Sequence, residues 1–202
     1  MSDLTRPVPF GAPASIRIRA AELRDAKAIA AIYNEGIAGR GATFETAERS
    51  VEDVRRWFAP ASRIARPFLV AERVSERGSE VAGWVRASEY RQRACYDGVA
   101  EFSVYVASSA RGQRVGDALM TRFVSACAES GIWKILSRIF PENMASRALC
   151  ARHGFREVGV YERHAQLDGV WRDVVIVERL IPVNQRDEPR RTHLDPSGNS
   201  KT

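Results

Sequence analysis

The sequence predicts an α/β fold of the α+β kind, a mixed sheet of about seven strands with helices on both faces. Three observations predict it. Within Glu101–Leu119 the period changes: Phe102, Val104 and Val106 alternate with Ser103 and Tyr105 as a strand does, then Val115, Leu119, Phe123 and Cys127 recur every four residues, the inner stripe of a helix. Strand-like and helix-like stretches follow one another as β-α-α-β-β-β-α-β-α-β-β, an order that a mixed sheet between helices accommodates. Asp168-Gly169 separates two strand-like runs, the signature of a two-residue hairpin.

The elements follow in order. Residues 1–15 hold prolines and Phe10 but no apolar signal-peptide core, and read as an irregular arm. One domain spans 16–182, with no internal repeat. Ile16–Arg19 is a short strand. Asp25 is the predicted N-cap of a helix to about Gly36, with Ile29, Ile32 and Tyr33 inward. Gly36–Gly41 is a loop with Asn34 and Glu35 at its entrance. Ser50 and Asp53 form a capping box for a helix ending near Phe58, ahead of Pro60. Pro67–Arg73 and Val81–Ala87 are antiparallel strands joined through the turn Arg77-Gly-Ser-Glu. Tyr90–Gly98 is an irregular basic and aromatic segment. After the central strand and helix, which ends near Gly131, come a strand at Trp133–Ile139 and a helix opened by Asn143 and stopped by Gly154. Phe155–Arg163 and Val170–Leu180 are the last strands. Residues 183–202, polar and charged, read as a disordered tail.

The bulk properties exclude several classes. The net charge is +6, but the arginines are spread along the chain without an aromatic-interleaved basic run, so no nucleic-acid partner is predicted. No apolar run approaches a membrane span, so no membrane partner is predicted. The three cysteines, Cys95, Cys127 and Cys150, lack metal-ligand spacing. A sparse, odd set fits a reducing cytoplasm, and no metal is predicted. A surplus of arginine suits an anionic cofactor and a small anionic substrate.

The loop between the central strand and helix carries the chemistry. N–H groups at a helix start have no internal acceptor, glycines let a ligand approach them, and Arg111 and Arg114 add positive charge. Gly112 and Gly116 in that loop make either a plain turn or a site for phosphate or pyrophosphate. A P-loop is excluded, because no Gly-Lys-Ser/Thr follows. No Gly-x-Gly-x-x-Gly opens the helix, which argues against a Rossmann loop.

Gln113-Arg-Val-Gly116-Asp-Ala118, followed by Asn143-Met-Ala-Ser146-Arg-Ala-Leu149 and Gly154-Phe155, resembles the GCN5-related N-acetyltransferases (GNAT). Ala31-Ile-Tyr-Asn34, Glu101-x-Ser-Val-Tyr-Val106 and Trp171-x-Asp173 resemble a closer branch, the phosphinothricin and arsinothricin N-acetyltransferases. The likeness runs from Ile16 to about Pro182. It implies a mostly antiparallel GNAT sheet, acetyl-CoA as co-substrate, a homodimer, and acetylation of the α-amino group of a glutamate-like antibiotic or herbicide. Carried onto this sequence, it implies cofactor contacts from Val104, Tyr105 and Val106 along the pantetheine arm. Arg111, Gln113, Arg114, Val115, Gly116, Asp117, Ala118 and Leu119 would hold the pyrophosphate, with Asn143 and Ser146 on the second helix. Asn143 also reads simply as a helix N-cap. Glu101 stands where the branch carries its general base; read from the residues alone, it is a strand-end carboxylate paired with an arginine. Arg91, Arg93 and Tyr96 would hold the acceptor's anionic groups, with Phe44 a second substrate-side candidate or ordinary core.

The sequence departs from the branch twice. Cys150 stands where the branch often has His, which leaves the general acid unassigned, with Tyr161 a candidate. Leu167 stands where many members have Lys. Three other readings follow: an acetyltransferase for methionine sulfoximine, its sulfone or another amino acid; a peptide N-terminal acetyltransferase; and a non-catalytic acyl-CoA sensor.

Overall fold

The computed structural model describes residues 15–59, 64–76 and 78–185. The arm before Ser15, Pro60, Arg77 of the second turn and the tail beyond Gln185 lie outside the described residues. The predicted order of elements is β1 (Ser15–Ala20), α1 (Ala26–Ala38), α2 (Val51–Arg56), β2 (Phe68–Ser75), β3 (Gly78–Glu89), β4 (Val99–Val106), α3 (Val115–Glu129), β5 (Lys134–Ile139), α4 (Met144–Arg152), β6 (Arg156–Leu167) and β7 (Val170–Leu180). The strands form one seven-stranded sheet, ordered β1-β2-β3-β4-β5-β7-β6. Neighbours are antiparallel except β4 and β5. No helix among the described residues is long and apolar enough to cross a membrane.

The two-residue period of the strands decides which helix covers which face. Phe102 faces α3, its ring 5.7 Å from Phe123, and Val115, Leu119, Phe123 and Cys127 are all buried beneath α3. Trp84 of β3 and Tyr105 of β4 are register partners on the opposite face, stacked 4.9 Å apart under Tyr33 of α1. Each such buried side chain contributes about 1.5–3 kcal/mol of transfer free energy.

Some boundaries differ from the sequence expectation, each for a physical reason. Helix α1 continues through Gly36 to Ala38. A Cβ on Gly36 would sit 2.6 Å from the Tyr105 ring, so this glycine is set by close packing and does not stop the helix. Asp25 makes no cap bond to α1. Its carboxylate accepts the Glu22 N–H at 2.8 Å and both terminal nitrogens of Arg19 at 2.7 and 2.8 Å, closing the short turn before the helix. The capping box of α2 is as expected, Ser50 Oγ accepting the Asp53 N–H at 3.1 Å and Asp53 Oδ2 the Ser50 N–H at 2.8 Å. Strand β6 runs past Arg163 to Leu167 through a bulge, where Arg163 has φ 47° and donates its N–H to Asp173 Oδ1 at 2.7 Å. Asp168 and Gly169, at φ 49° and 79°, make the predicted hairpin turn in its I′ form.

Candidate active site

The site grows from a parting of two strands. β4 and β5 pair only at Val99, Ala100 and Glu101. Beyond Glu101, β4 keeps β3 as its neighbour and β5 keeps β7, so a wedge opens between them. Backbone groups alternate sides along a strand. The Ala107 N–H bonds to Ala82 beside β3 at 2.9 Å, whereas the Phe102 carbonyl accepts Ser137 Oγ of β5 at 2.9 Å. The peptide groups of Val104 and Val106 therefore face the wedge.

The wedge widens into a cleft of ≈ 710 Å³ walled by Val104–Val106, the loop before α3, the first turns of α4 and the loop after α1. Arg114 takes a left-handed conformation, φ 60°, and the first bond of α3 runs from the Ala118 N–H to the Arg114 carbonyl at 3.1 Å. The N–H groups of Val115, Gly116 and Asp117 thus find no acceptor in the turn before them. A Cβ on Gly116 would meet Leu149 of α4 at 3.2 Å and narrow the cleft. Arg111 and Arg114 line this end, and neither guanidinium has a carboxylate partner among the described residues. The fit is to a phosphate-bearing group: free donors, positive charge and a floor without a side chain.

Glu101 stands where the two strands part, outside the cleft walls themselves. Its carboxylate bonds Arg138 of β5, with Nε 3.0 Å from Oε1; Nη2 bonds the same oxygen. Oε2 has no partner among the described residues. Arg138 also lines a smaller hollow that shares Val104, Tyr105, Asn143 and Ser146 with the main cleft, so the walls run on from the helix start to this ion pair.

The family model described as the acetyltransferase (GNAT) domain matches residues 18–176. The chain belongs to the GNAT family of acetyltransferases. YwnH of Bacillus subtilis, provisionally called a phosphinothricin acetyltransferase, is 35% identical over 164 residues, 81% of this chain and 98% of the relative. An L-methionine sulfoximine/L-methionine sulfone acetyltransferase of Pseudomonas paraeruginosa is 29% identical, over 81% of this chain and 94% of the relative. A crystal structure of a phosphinothricin acetyltransferase from Sinorhizobium meliloti with acetyl-CoA is 28% identical with a TM-score of 0.76, covering 90% of this chain and 95% of that one. This chain is thus an N-acetyltransferase.

The acetyltransferase's cleft takes in Val104, Tyr105, Val106, Arg111, Arg114, Val115, Gly116, Asp117, Asn143 and Ser146 of the residues singled out in the sequence. It does not take in Glu101, nor three of the cofactor candidates. Leu119 is wholly buried under α3. The Gln113 side chain turns back to donate to the Ser109 carbonyl at 2.9 Å. Ala118 is absent from the walls. Asn143 caps α4, its Oδ1 accepting the Ser146 N–H at 3.1 Å, and its Nδ2 donates across the cleft to the Gly41 carbonyl at 3.2 Å. Tyr105 donates from its hydroxyl to the Ala42 carbonyl at 3.2 Å, and burial holds its phenol above the usual value. Asp117 receives Arg152 Nε at 3.0 Å and lies 3.2 Å from His153 Nε2; the Arg152 bond, with His153 behind it, holds the carboxyl below the usual range.

The substrate-side candidates are dispersed. Phe44, half-buried, packs on Phe140 at 4.9 Å beside buried Leu167 and Val174, and it also lies 6.2 Å from the ring of His164. Leu167 therefore contributes packing where many branch members have a charge. Arg91 lies over the Tyr90 ring at 5.2 Å, and Tyr90 meets Tyr96 edge-on at 5.6 Å. Arg91 and Arg93 are exposed. Sequence reasoning missed Arg138 and Arg152, and placed Glu35 only at a loop entrance; the Glu35 carboxylate accepts the Ser108 N–H at 2.7 Å beside the loop before α3. Among the described residues no group of three or more His, Cys, Asp or Glu is placed to hold a metal ion.

Proposed function

We propose that the protein acetylates the α-amino group of a glutamate-like antibiotic or herbicide, phosphinothricin or arsinothricin, with acetyl-CoA as donor, and so confers resistance in the cytoplasm. One observation carries this reading: β4 loses its neighbour immediately beyond Glu101, leaving an open strand edge between a carboxylate and a bare helix start. The diphosphate would lie against the N–H groups of Val115 to Asp117 with Arg111 and Arg114 beside it. The pantetheine arm would pair with Val104 and Val106 as an added strand. Acetyl-CoA supplies an activated acyl group and a good leaving thiolate.

The chain's own groups do the rest. An α-amino group is mostly protonated at neutral pH. The free Oε2 of Glu101 takes that proton, directly or through one water, while Arg138 holds Oε1 and fixes the carboxylate's direction. The Val104 N–H, facing the wedge, is the donor toward the developing oxyanion. Cys150 is a poor proton donor. Burial pushes its thiol up to about 12, and transfer to a thiolate of ordinary basicity would be uphill by roughly 5 kcal/mol. Arg91 and Arg93, in the segment leading into Glu101, supply cations for the acceptor's acidic groups, and Tyr96 a hydroxyl donor. Val160 and Tyr161 are about half exposed on β6, an edge strand with only β7 beside it, which supports a homodimer through that edge.

Thiol release from acetyl-CoA tests the reading across phosphinothricin, arsinothricin, methionine sulfoximine, glutamate and a peptide panel. Turnover is expected on one of the small analogues. The Pseudomonas relative's name makes methionine sulfoximine or its sulfone the second reading. Tight CoA binding with no thiol release on any amine would instead indicate a sensor.

A further inference from the structure

A second cavity, ≈ 540 Å³, opens where β2 begins and β3 ends, with Arg86 and Ser88 the register partners of Ser103 and Glu101, and shares no wall residue with the acetyl-transfer cleft. Arg86 of β3 lies in its wall between two aromatic rings, its guanidinium carbon 5.5 Å from the Trp57 ring and 5.8 Å from that of Phe68. Among the described residues it has no carboxylate partner, and its one hydrogen bond is a long one, 3.4 Å from Nη2 to the Trp57 carbonyl. Four of its five N–H donors are therefore unmatched. Arg66 lines the same cavity. Its terminal nitrogens donate to the carbonyls of Val99 and Asp97 at 3.2 and 2.7 Å, and its buried Nε has no partner among the described residues. Of the acidic residues in the wall, Glu129 is held by Arg122 at 3.0 Å, and Glu89 makes no ion pair with Arg86 among the described residues. The remaining wall is largely apolar, including Phe58, Pro67, Leu69 and Ala87.

A half-buried cation without an acid is costly, and an aromatic shelf compensates it only in part. Guanidinium edges facing a cavity match a carboxylate, and apolar walls match a hydrocarbon body. We propose that this cavity is a second binding site for a small monocarboxylic acid with an aliphatic or aromatic body, its carboxylate on the free edge of Arg86. The ligand class differs from the doubly acidic acceptor proposed for the cleft, and the site does not depend on that reading.

Calorimetry on the full chain tests it, with phenylacetate as probe and phenylacetamide as its neutral match. Saturable phenylacetate binding is expected, at least tenfold weaker for the amide, the loss of a charge-assisted bond. Arg86→Met should weaken phenylacetate at least tenfold with Tm unchanged or raised, because an uncompensated cation has gone. Should that variant fail to fold, Arg86→Lys, which keeps the charge and loses the flat fork, should still bind severalfold more weakly. Saturating CoA and phosphinothricin should leave phenylacetate binding intact. The proposal is overturned by no saturation up to about 10 mM, by equal binding of the amide, by undiminished binding to a folded Arg86 variant, or by competition from phosphinothricin or CoA.

Discussion

Gly116→Ala separates the fold from the cofactor site, because the structure gives the substitution nearly opposite effects on the two. The new Cβ would lie 3.2 Å from Leu149 Cδ2 and 3.9 Å from Val106 Cγ2. The first of these is the tip of a flexible side chain on the cleft wall and can retreat by a few tenths of an ångström. That strain, about 1 kcal/mol or less, is offset by the gain of up to about 1 kcal/mol for alanine over glycine in a helix. Tm should therefore move by no more than about 3 °C. The methyl group also occupies the approach to the N–H groups of Val115 to Asp117. Losing one charge-assisted bond to a diphosphate costs about 1.5–3 kcal/mol. The dissociation constant for CoA should rise roughly ten- to a hundredfold, measured by calorimetry beside a thermal melt. An affinity within about twofold of the parent at equal Tm would refute the placement of the diphosphate at this helix start.

Other outcomes follow from the ion pairs and thiols. Burial opposes ionisation of Asp25, but its bonds from Arg19 prevail and hold it below the usual carboxylate range; bonds from Arg19 to Glu72 and from Lys134 to Glu178 do the same there. Folded values below the unfolded ones mean that this stability is complete above the ordinary carboxylate values and is lost as pH falls through the folded ones, so Tm should drop below about pH 4. Asp25→Asn should cost about 2–3 kcal/mol at neutral pH, since Arg19 keeps Glu72, and should flatten the acid limb; an unchanged acid limb would count against the assignment. Only Cys95 is exposed, and burial pushes the Cys127 and Cys150 thiols up to about 12. Ellman's reagent at mildly alkaline pH should therefore titrate one thiol in the native protein, and a second reacting at the same rate would contradict the burial.

The strand-to-helix switch at Glu101–Leu119 was legible because two local periods meet there, and local periodicity survives without tertiary knowledge. The Ser50–Asp53 box and the Asp168-Gly169 turn were legible for the same reason. Arg138 was not. It meets Glu101 only because β5 runs parallel to β4 with Leu136 opposite Glu101, a register no local pattern encodes. Gly36 read as a helix stop because its reason for being glycine, the Tyr105 ring, lies on another strand. Asp25 had the composition of a cap, and its carboxylate went instead to Arg19 of β1. Leu119 belongs to the signature segment, yet its place in the helical stripe buries it, so motif membership and ligand contact part at that residue.

The proposed reaction turns on Glu101 as the group that takes the acceptor's proton. The most direct measurement is kcat/KM against pH for the parent and for Glu101→Gln, with CoA affinity measured alongside. Removal of a general base should lower the rate about 10²- to 10⁴-fold. The carboxylate's limb should give way to one set by the acceptor amine's own deprotonation, so that the rate goes on rising to higher pH than in the parent, with CoA binding nearly unchanged. A variant that is slower but keeps the parent's pH profile, or is as fast as the parent, would take Glu101 out of the chemistry and leave it a strand-end carboxylate paired with Arg138.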